Sequence, residues 1–393
     1  MRVTPKSIDR NIILLHISII NHSSSSKRTG RDARTTGVFL MSAKSNRGSG
    51  PIKVAIAGLG RAGWGIHAMG IQKRTDFQLV AAIDSAPERR REAETTFPGC
   101  RTYEHWKDFI KDPNGAELVV VATISTLHAP MTIDALKAGL HVLCEKPMAL
   151  NLKEADRMIA AAKKAKRILT AHHNHRCDAD LNHLISIIDS GILGRVFMVK
   201  SFTGRFARRN DWQTLKKYGG GTLNNTGPHM IDQVLQLLQS PVVKVSADLQ
   251  ACITSGDADD HVKMLIHGKN KRVIDLEISD ACAFPQAKWV VYGTLGTLIS
   301  EGNEFMIKHL DPASLPKLKV VDSVAVPNRK YGVVGGDTLN WLEKRVPAGP
   351  QEFQLNYYDR LHKTIREGAK LLVTPESVRE GIKVIEWAKR SGS

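Results

Sequence analysis

The stretch IKVAIAGLGRAGWGIHAMG, residues 52–70, limits what this chain can fold into more than any other. A β-branched apolar run leads into Gly58, Gly60 and Gly63 in G-x-G-x-x-G order, and a helical pattern follows. In that order the first glycine permits a tight turn, the second lets backbone amides approach a pyrophosphate, and the third allows helix and strand to pack closely. The helix then offers its positive N-terminus to the phosphates. Glycine turns alone are common, so context decides. FQLVAAID reads as a second strand ending in Asp84, roughly 20 residues past the glycines, where a carboxylate can bond a ribose hydroxyl. The expectation is a dinucleotide site holding Gly58, Gly60, Arg61, Ala62, Gly63 and Asp84. An acid at Asp84 favours NAD, while the arginines of ERRR (88–91) could reach a 2′-phosphate and leave NADP open.

The alternation continues downstream. AELVVVAT (116–123) predicts a buried strand, HAPMTIDALKAG (128–139) a helix closed by Gly139, and HVLCEKP (141–147) the next strand. Asn151 with Glu154 resembles a capping box that opens a helix over 151–167. Such repetition means a parallel sheet with crossover helices, whose ligands bind beyond the carboxyl ends of the strands. Thr123 and Lys146 fall at those ends, and with His128 and Glu145 they extend the expected cofactor set.

Past about residue 175 the pattern changes. A predicted helix (178–190) leads to strands at VFMVKSF, VKVSADLQA, HVKMLIHG, RVIDLEIS, KWVVYG and GTLIS, several joined by short turns. That arrangement predicts a mostly antiparallel sheet. The expected fold class is α/β: a doubly wound Rossmann domain over 51–172, then an α+β substrate domain over 173–393 with a large open sheet. Helices at 358–368 and 377–391 are expected to dock back on that sheet or on the first domain. Residues 1–50 carry nine Lys or Arg against two Asp and read as a disordered or non-native extension. Their apolar run IILLHISII has no small-residue cleavage site after it, and Met41 opens a natural start.

GGGTLNNTGPHMIDQVLQLL (219–238) joins a close-approach loop to a helix, with Pro228 in its first turn. His229 then sits near the positive helix terminus, which disfavours imidazolium and leaves a neutral ring able to accept a proton. Asp232 follows on the same helix face. A lone histidine usually packs or caps; the glycines before it and the acid after it favour a catalytic one. HHNHRCDAD (172–180) offers His172, His173, His175 and Cys177 as metal-ligand types, but neighbours on a strand point to opposite faces, so no metal is expected.

The net charge of +17 would suit nucleic acid, yet much of it lies in the first fifty residues and the rest forms no long basic run. With aromatics at 6%, no stacking platform for nucleic acid is apparent. No apolar run reaches the roughly 18 residues of a membrane-spanning helix. Five scattered cysteines without a CxxC pair fit a reducing compartment, and the cytoplasm is the expected location.

GLGRAG, CEKPMAL, GGGTLNNTGPHMID and WVVYGTLGTLISEG, in that order, resemble the glucose–fructose oxidoreductase / inositol dehydrogenase family (Gfo/Idh/MocA) over residues 52–393. The resemblance implies an NAD(P)-binding Rossmann domain and an open C-terminal sheet used for substrate and for contacts between copies. It further implies that Lys146 contacts nicotinamide ribose and substrate, usually beside a cis X-Pro bond, and that His229 exchanges a proton with the substrate hydroxyl. The substrate implied is a sugar, cyclitol or related polyol. Asn174 and Arg176 match the family's N-x-R segment, and they join Asn225 and Asp232 as expected substrate contacts. Asn225 departs from an aspartate frequent in the family and cannot stabilise an imidazolium by charge. Thr123-Ile124 replaces the family's T-P, which would loosen that turn. The predicted reaction is hydride transfer between a nicotinamide and a carbinol carbon; the alternative is a sensor of the same fold that binds NAD(P) without turnover.

Overall fold

The computed structural model describes residues 50–320, 322 and 339–392. All but the last residue of the expected extension lies outside them.

Six strands form the first sheet: β1 (Ile52–Ala57), β2 (Phe77–Ile83), β3 (Arg101–Tyr103), β4 (Leu118–Val121), β5 (His141–Cys144) and β6 (Leu169–Ala171). They pair in parallel in the order β3-β2-β1-β4-β5-β6, the doubly wound dinucleotide-binding order. β1 and β4 are apolar nearly throughout because helices cover both faces. The helices are α1 (Met69–Gln72), α2 (Pro87–Thr96), α3 (Trp106–Lys111), α4 (Ser125–Lys137) and α5 (Leu152–Ala165). α1 departs from the plain helix expected after Gly63, because it is preceded by a π-helical turn, Gly63–Ala68, which places His67 inward. α5 begins as the capping pattern predicts. The Asn151 side chain accepts from the Glu154 N–H at 2.9 Å, and the Glu154 carboxylate accepts from the Leu150 N–H at 3.0 Å.

After α6 (Ala179–Asp189) comes β7 (Val196–Gly204), then two helices, α7 (Thr222–Asn225) and α8 (Gly227–Leu238). The remaining strands are β8 (Val242–Gln250), β9 (His261–Gly268), β10 (Val273–Ser279), β11 (Trp289–Gly293), β12 (Gly296–Glu301), β13 (Glu304–Leu310) and β14 (Trp341–Pro347). Their order is β14-β13-β12-β11-β7-β10-β9-β8, antiparallel except where β7 meets β10. The strands expected from the sequence include neither the short β3 and β6 of the first sheet nor β13 and β14. β14 is an edge strand, mostly exposed, carrying Glu343, Lys344 and Arg345, so it lacks the inward apolar alternation that marks a strand.

One face of this sheet is buried by α8, whose Met230, Ile231, Val234, Leu237 and Leu238 enter its core. α9 (Tyr357–Glu367) returns to the first sheet, where Tyr357, Tyr358, Leu361 and Ile365 join the core. α10 (Pro375–Ser391) serves both, with Val378 and Ile382 in the first core and Val384, Ile385 and Ala388 in the second. The other face of the large sheet shows Phe197, Leu265, Ile299 and Trp341 to solvent. Among the described residues no helix is long and apolar enough to cross a membrane.

Candidate active site

A cleft of about 900 Å³ runs along the carboxyl ends of β1, β2, β4 and β5 and is closed on one side by residues 209–225. Gly58, Gly60, Arg61, Ala62, Asp84, Thr123, His128, Glu145, Lys146 and Asn225 all line it. The glycines do different work. Gly58 has φ +89°, and a Cβ there would stand 2.7 Å from the Ala122 carbonyl oxygen. A Cβ on Gly63 would meet the Gly58 carbonyl oxygen at 1.8 Å, so this position holds strand and helix together. A Cβ on Gly60 would meet nothing within 4 Å. That open, Cβ-free edge is the cradle a pyrophosphate would fill, and the residues present fit a dinucleotide.

Asp84 is buried at the end of β2, with its carboxylate partly turned into its own loop. It accepts from the Leu59 N–H at 2.8 Å and from the Ala86 N–H at 2.9 Å. Arg89 stands over it at 3.3 Å, half exposed, and lines the cleft together with Ser85. The acid and a cation therefore share the adenosine end.

At the other end β5 stops at Cys144, and the chain turns through Glu145, Lys146 and a cis Lys146–Pro147 bond. His128 lies between the carbonyls of Pro147 (2.7 Å) and Thr123 (3.0 Å) and so links the two strand ends; burial lowers its pKa, and the two carbonyls, each an acceptor, oppose that. The Lys146 ammonium donates to the Asn225 carbonyl at 3.0 Å and to its side-chain oxygen at 3.3 Å. Gln213 donates to that same side-chain oxygen at 3.2 Å. Burial lowers the Lys146 pKa, Arg209 and Arg61 push the same way, and Glu145 opposes them.

His229 occupies the first turn of α8, after Pro228, as the sequence predicts. It does not itself line the cleft. Its ring stands edge-on to His175, with centroids 4.7 Å apart, and its Nδ1 is sealed from water with no hydrogen-bond partner. Burial first, then the nearby Lys146 ammonium, hold its pKa well below the usual histidine value. A neutral imidazole able to take a proton follows, although from desolvation more than from the helix terminus.

Three of the four expected substrate contacts are elsewhere. Arg176 and Asp232 are buried against each other as a bidentate pair at 2.7 and 2.5 Å. Arg176 also donates to Ser377 Oγ at 2.9 Å and to the Leu372 carbonyl at 3.1 Å. Asp232 thus serves Arg176 and not His229, because α8 packs against the turn Asn174–Cys177 that carries Arg176, and against α10. Asn174 is part-buried and off the cleft lining. Of the four metal-ligand types in HHNHRCDAD, only His172 joins a cluster with ligand spacing among the described residues, and its companions are His67 and Glu145.

Sequence reasoning missed Arg209, Trp212 and Gln213, which line the cleft from the segment between β7 and α7. Asp211 orders that segment, pairing with Arg209 at 2.7 Å and approaching Arg61 at 3.9 Å across the cleft. The only trace in the sequence is an aromatic among arginines, RRNDW, without period or glycine.

The sheet order and the glycine cradle define a nucleotide-binding protein of the Rossmann class. Comparison with known proteins goes further. The family model described as "Oxidoreductase family, NAD-binding Rossmann fold" matches residues 52–173, and the "GFO/IDH/MocA C-terminal domain" matches residues 181–299. An uncharacterised oxidoreductase of Escherichia coli (strain K12), YdgJ, is 30% identical over 64% of this chain and 71% of its own length. The scyllo-inositol 2-dehydrogenase (NADP(+)) IolW of Bacillus subtilis (strain 168) is 28% identical over 88% of this chain and 96% of its own. Among solved structures, the Bacillus subtilis oxidoreductase yvaA superposes with a TM-score of 0.71 at 23% identity, covering 87% of this chain and 97% of that one. The chain belongs to the Gfo/Idh/MocA oxidoreductase family, and its N-terminal part is an NAD-binding Rossmann domain.

Proposed function

We propose that this protein is an NAD(P)-dependent dehydrogenase that moves a hydride between the nicotinamide and a carbinol carbon of a sugar, cyclitol or related polyol. The observation that carries the reading is the placement of Lys146. It leaves the carboxyl edge of the nucleotide sheet and ends against Asn225, beside a neutral His229. In this reading the bound nicotinamide supplies the hydride acceptor. Lys146 donates a hydrogen bond to the substrate oxygen and draws charge from it as the C–H bond breaks. His229 takes the hydroxyl proton, a role that its lowered proton affinity keeps open at neutral pH. Gln213 and Asn225 supply hydrogen bonds suited to neighbouring hydroxyls, and Trp212, 42% exposed on the cleft wall, offers a flat apolar face to a ring. The NADP(+) and scyllo-inositol in the name of IolW support both the cofactor range and the polyol class. The apolar residues on the open sheet face support contacts between copies of the chain.

The test is a panel of inositols, aldoses and sugar acids with each nucleotide, followed through absorbance of the reduced nicotinamide. Turnover of at least one polyol is expected. Tight nucleotide binding with no turnover across the panel contradicts the reading and favours a sensor.

A further inference from the structure

Beside the lysine lies a buried carboxylate, two of whose partners, His67 and His172, the proposed reaction does not touch. Glu145 is only 6% exposed. Its Oε1 accepts from His67 Nε2 at 2.8 Å and from His172 Nδ1 at 2.9 Å, and its Oε2 accepts from the Lys146 N–H at 3.0 Å. His67 is wholly buried, and its other nitrogen meets the Tyr358 hydroxyl at 2.7 Å. Burial pushes the Tyr358 pKa far up and that of His67 down, so a neutral phenol faces a neutral imidazole. The tautomer follows. The phenol donates to Nδ1, which leaves the single ring proton on Nε2, aimed at Glu145. The opposite tautomer would set a bare lone pair against a carboxylate.

Taking a carboxylate out of water costs several kcal/mol unless donors replace the lost solvent. Three N–H groups do so here. Burial pushes the Glu145 pKa up, but the bonds from His172 and His67 outweigh it and hold the carboxyl well below its usual range. The negative charge so fixed is one residue from Lys146. On the cleft side that lysine faces Arg209 and Arg61, both favouring loss of its proton, with Glu145 as the opposing charge.

We propose that His67 and His172 are positioning residues for Lys146: together they hold Glu145 as a buried anion, and that anion keeps the lysine an ammonium in the cleft. The proposal rests on the reading of Lys146 as the group that polarises the substrate oxygen. The parts come from four places in the chain: the π-helical turn after the glycine loop, the ends of β5 and β6, and α9. The same three side chains bring ligand atoms within 4.8 Å of one another, the spacing of a metal site. Yet each of these atoms already takes part in a short hydrogen bond, and a tautomer that donates to Glu145 has no lone pair there for a metal.

The experiment is trace acetylation of the full chain with acetic anhydride across pH, with the Lys146 peptide quantified by mass spectrometry. Glu145→Gln should move the Lys146 labelling midpoint down by about one pH unit, the low end of what losing a nearby opposite charge does, because the carboxylate bonds the lysine's backbone N–H and forms no ion pair with its ammonium. His67→Phe and His172→Phe should each shift it in the same direction by a smaller amount. His67→Gln, which keeps an N–H donor, should stay within about 0.3 unit of the native midpoint, far below the shift from a lost charge. If the phenylalanine variants do not fold, Glu145→Gln decides, because it removes the anion and leaves both histidines in place. Unchanged midpoints in the phenylalanine variants overturn the proposal, as does an unchanged Glu145→Gln. So does a stoichiometric metal in the purified protein that Glu145→Gln removes. Failure of the underlying reading looks different: Lys146→Met would retain its hydride-transfer rate while the midpoints still shift.

Discussion

The half of the cleft proposed for the nucleotide and the half proposed for the substrate are built in different ways. The first takes its residues, Gly58 to Lys146, from the carboxyl ends of one parallel sheet and from the helices that start there, so strand direction largely decides which side chains meet. The second takes Arg209, Trp212 and Gln213 from a segment with little regular structure and Asn225 from a single helical turn. Side-chain pairs hold it: Asp211 on Arg209, Gln213 on Asn225, and Lys146 reaching across. A backbone-built half should fail all at once when its backbone is blocked. A side-chain-built half should lose function in steps and keep its fold.

The largest effect expected is at Gly63. Alanine there needs its Cβ where the Gly58 carbonyl oxygen stands, so strand and helix must separate, at more than the ~1–3 kcal/mol of ordinary overpacking. Nucleotide binding should vanish from a calorimetric titration. Gly60→Ala, with open space around it, should melt like the native protein and only weaken binding. Equal behaviour of the two would break the distinction between packing and ligand approach.

Next in size is Arg176→Met. It leaves Asp232 buried without its partner, and such losses cost roughly 3–5 kcal/mol. Urea unfolding should show that loss. If stability were native and only KM for the substrate rose, Arg176 would belong to the cleft after all.

A smaller, graded effect concerns pH. Burial is the main cause that lowers the pKa of His67, His128, His173 and His229. In the unfolded chain they titrate near ~6.5, so below that pH the unfolded state binds more protons than the folded one. Stability should be fully present above about pH 7 and decline as the pH falls through ~6.5, before the carboxylates titrate. Melting temperatures that stay flat from about pH 7.5 to 5.5 would mean that these rings are charged or solvated in the fold.

The smallest effect is expected at the adenosine end. Arg89→Ala should weaken NADP binding by up to about fivefold, the ~1 kcal/mol upper end for a half-exposed charged contact, and barely change NAD. Asp84→Ala should narrow any preference for NAD, though less than in a site where the acid is free, because two backbone amides already use it.

These contrasts match what could be read from the sequence. The glycine order, Asp84, the strand carrying Lys146 and the Pro228–His229 helix start are local signals, and each appears where its spacing placed it. Arg176 and Asp232 are separated by many residues, and nothing local says that they face each other. Likewise, the sequence places Glu145 among the expected cofactor residues, but nothing local says that His67 and His172 bond it, or that Tyr358 backs His67, from three other elements. β14 escaped because a charged edge strand has no buried face to impose a period on it.

The central claim is that Lys146 serves the hydride-transfer step and is not a strand-end surface charge. It is tested most directly by single-turnover reduction of bound NAD in Lys146→Met, with the best substrate from the polyol panel. Methionine keeps much of the stem and removes the ammonium, while the glycine loop and Asp84 are untouched, so nucleotide affinity should remain near native. The rate of reduction should fall by roughly 10²–10⁴, the usual worth of a positioned acid–base group. A Lys146→Met enzyme that reduces NAD at close to the native rate would contradict the account.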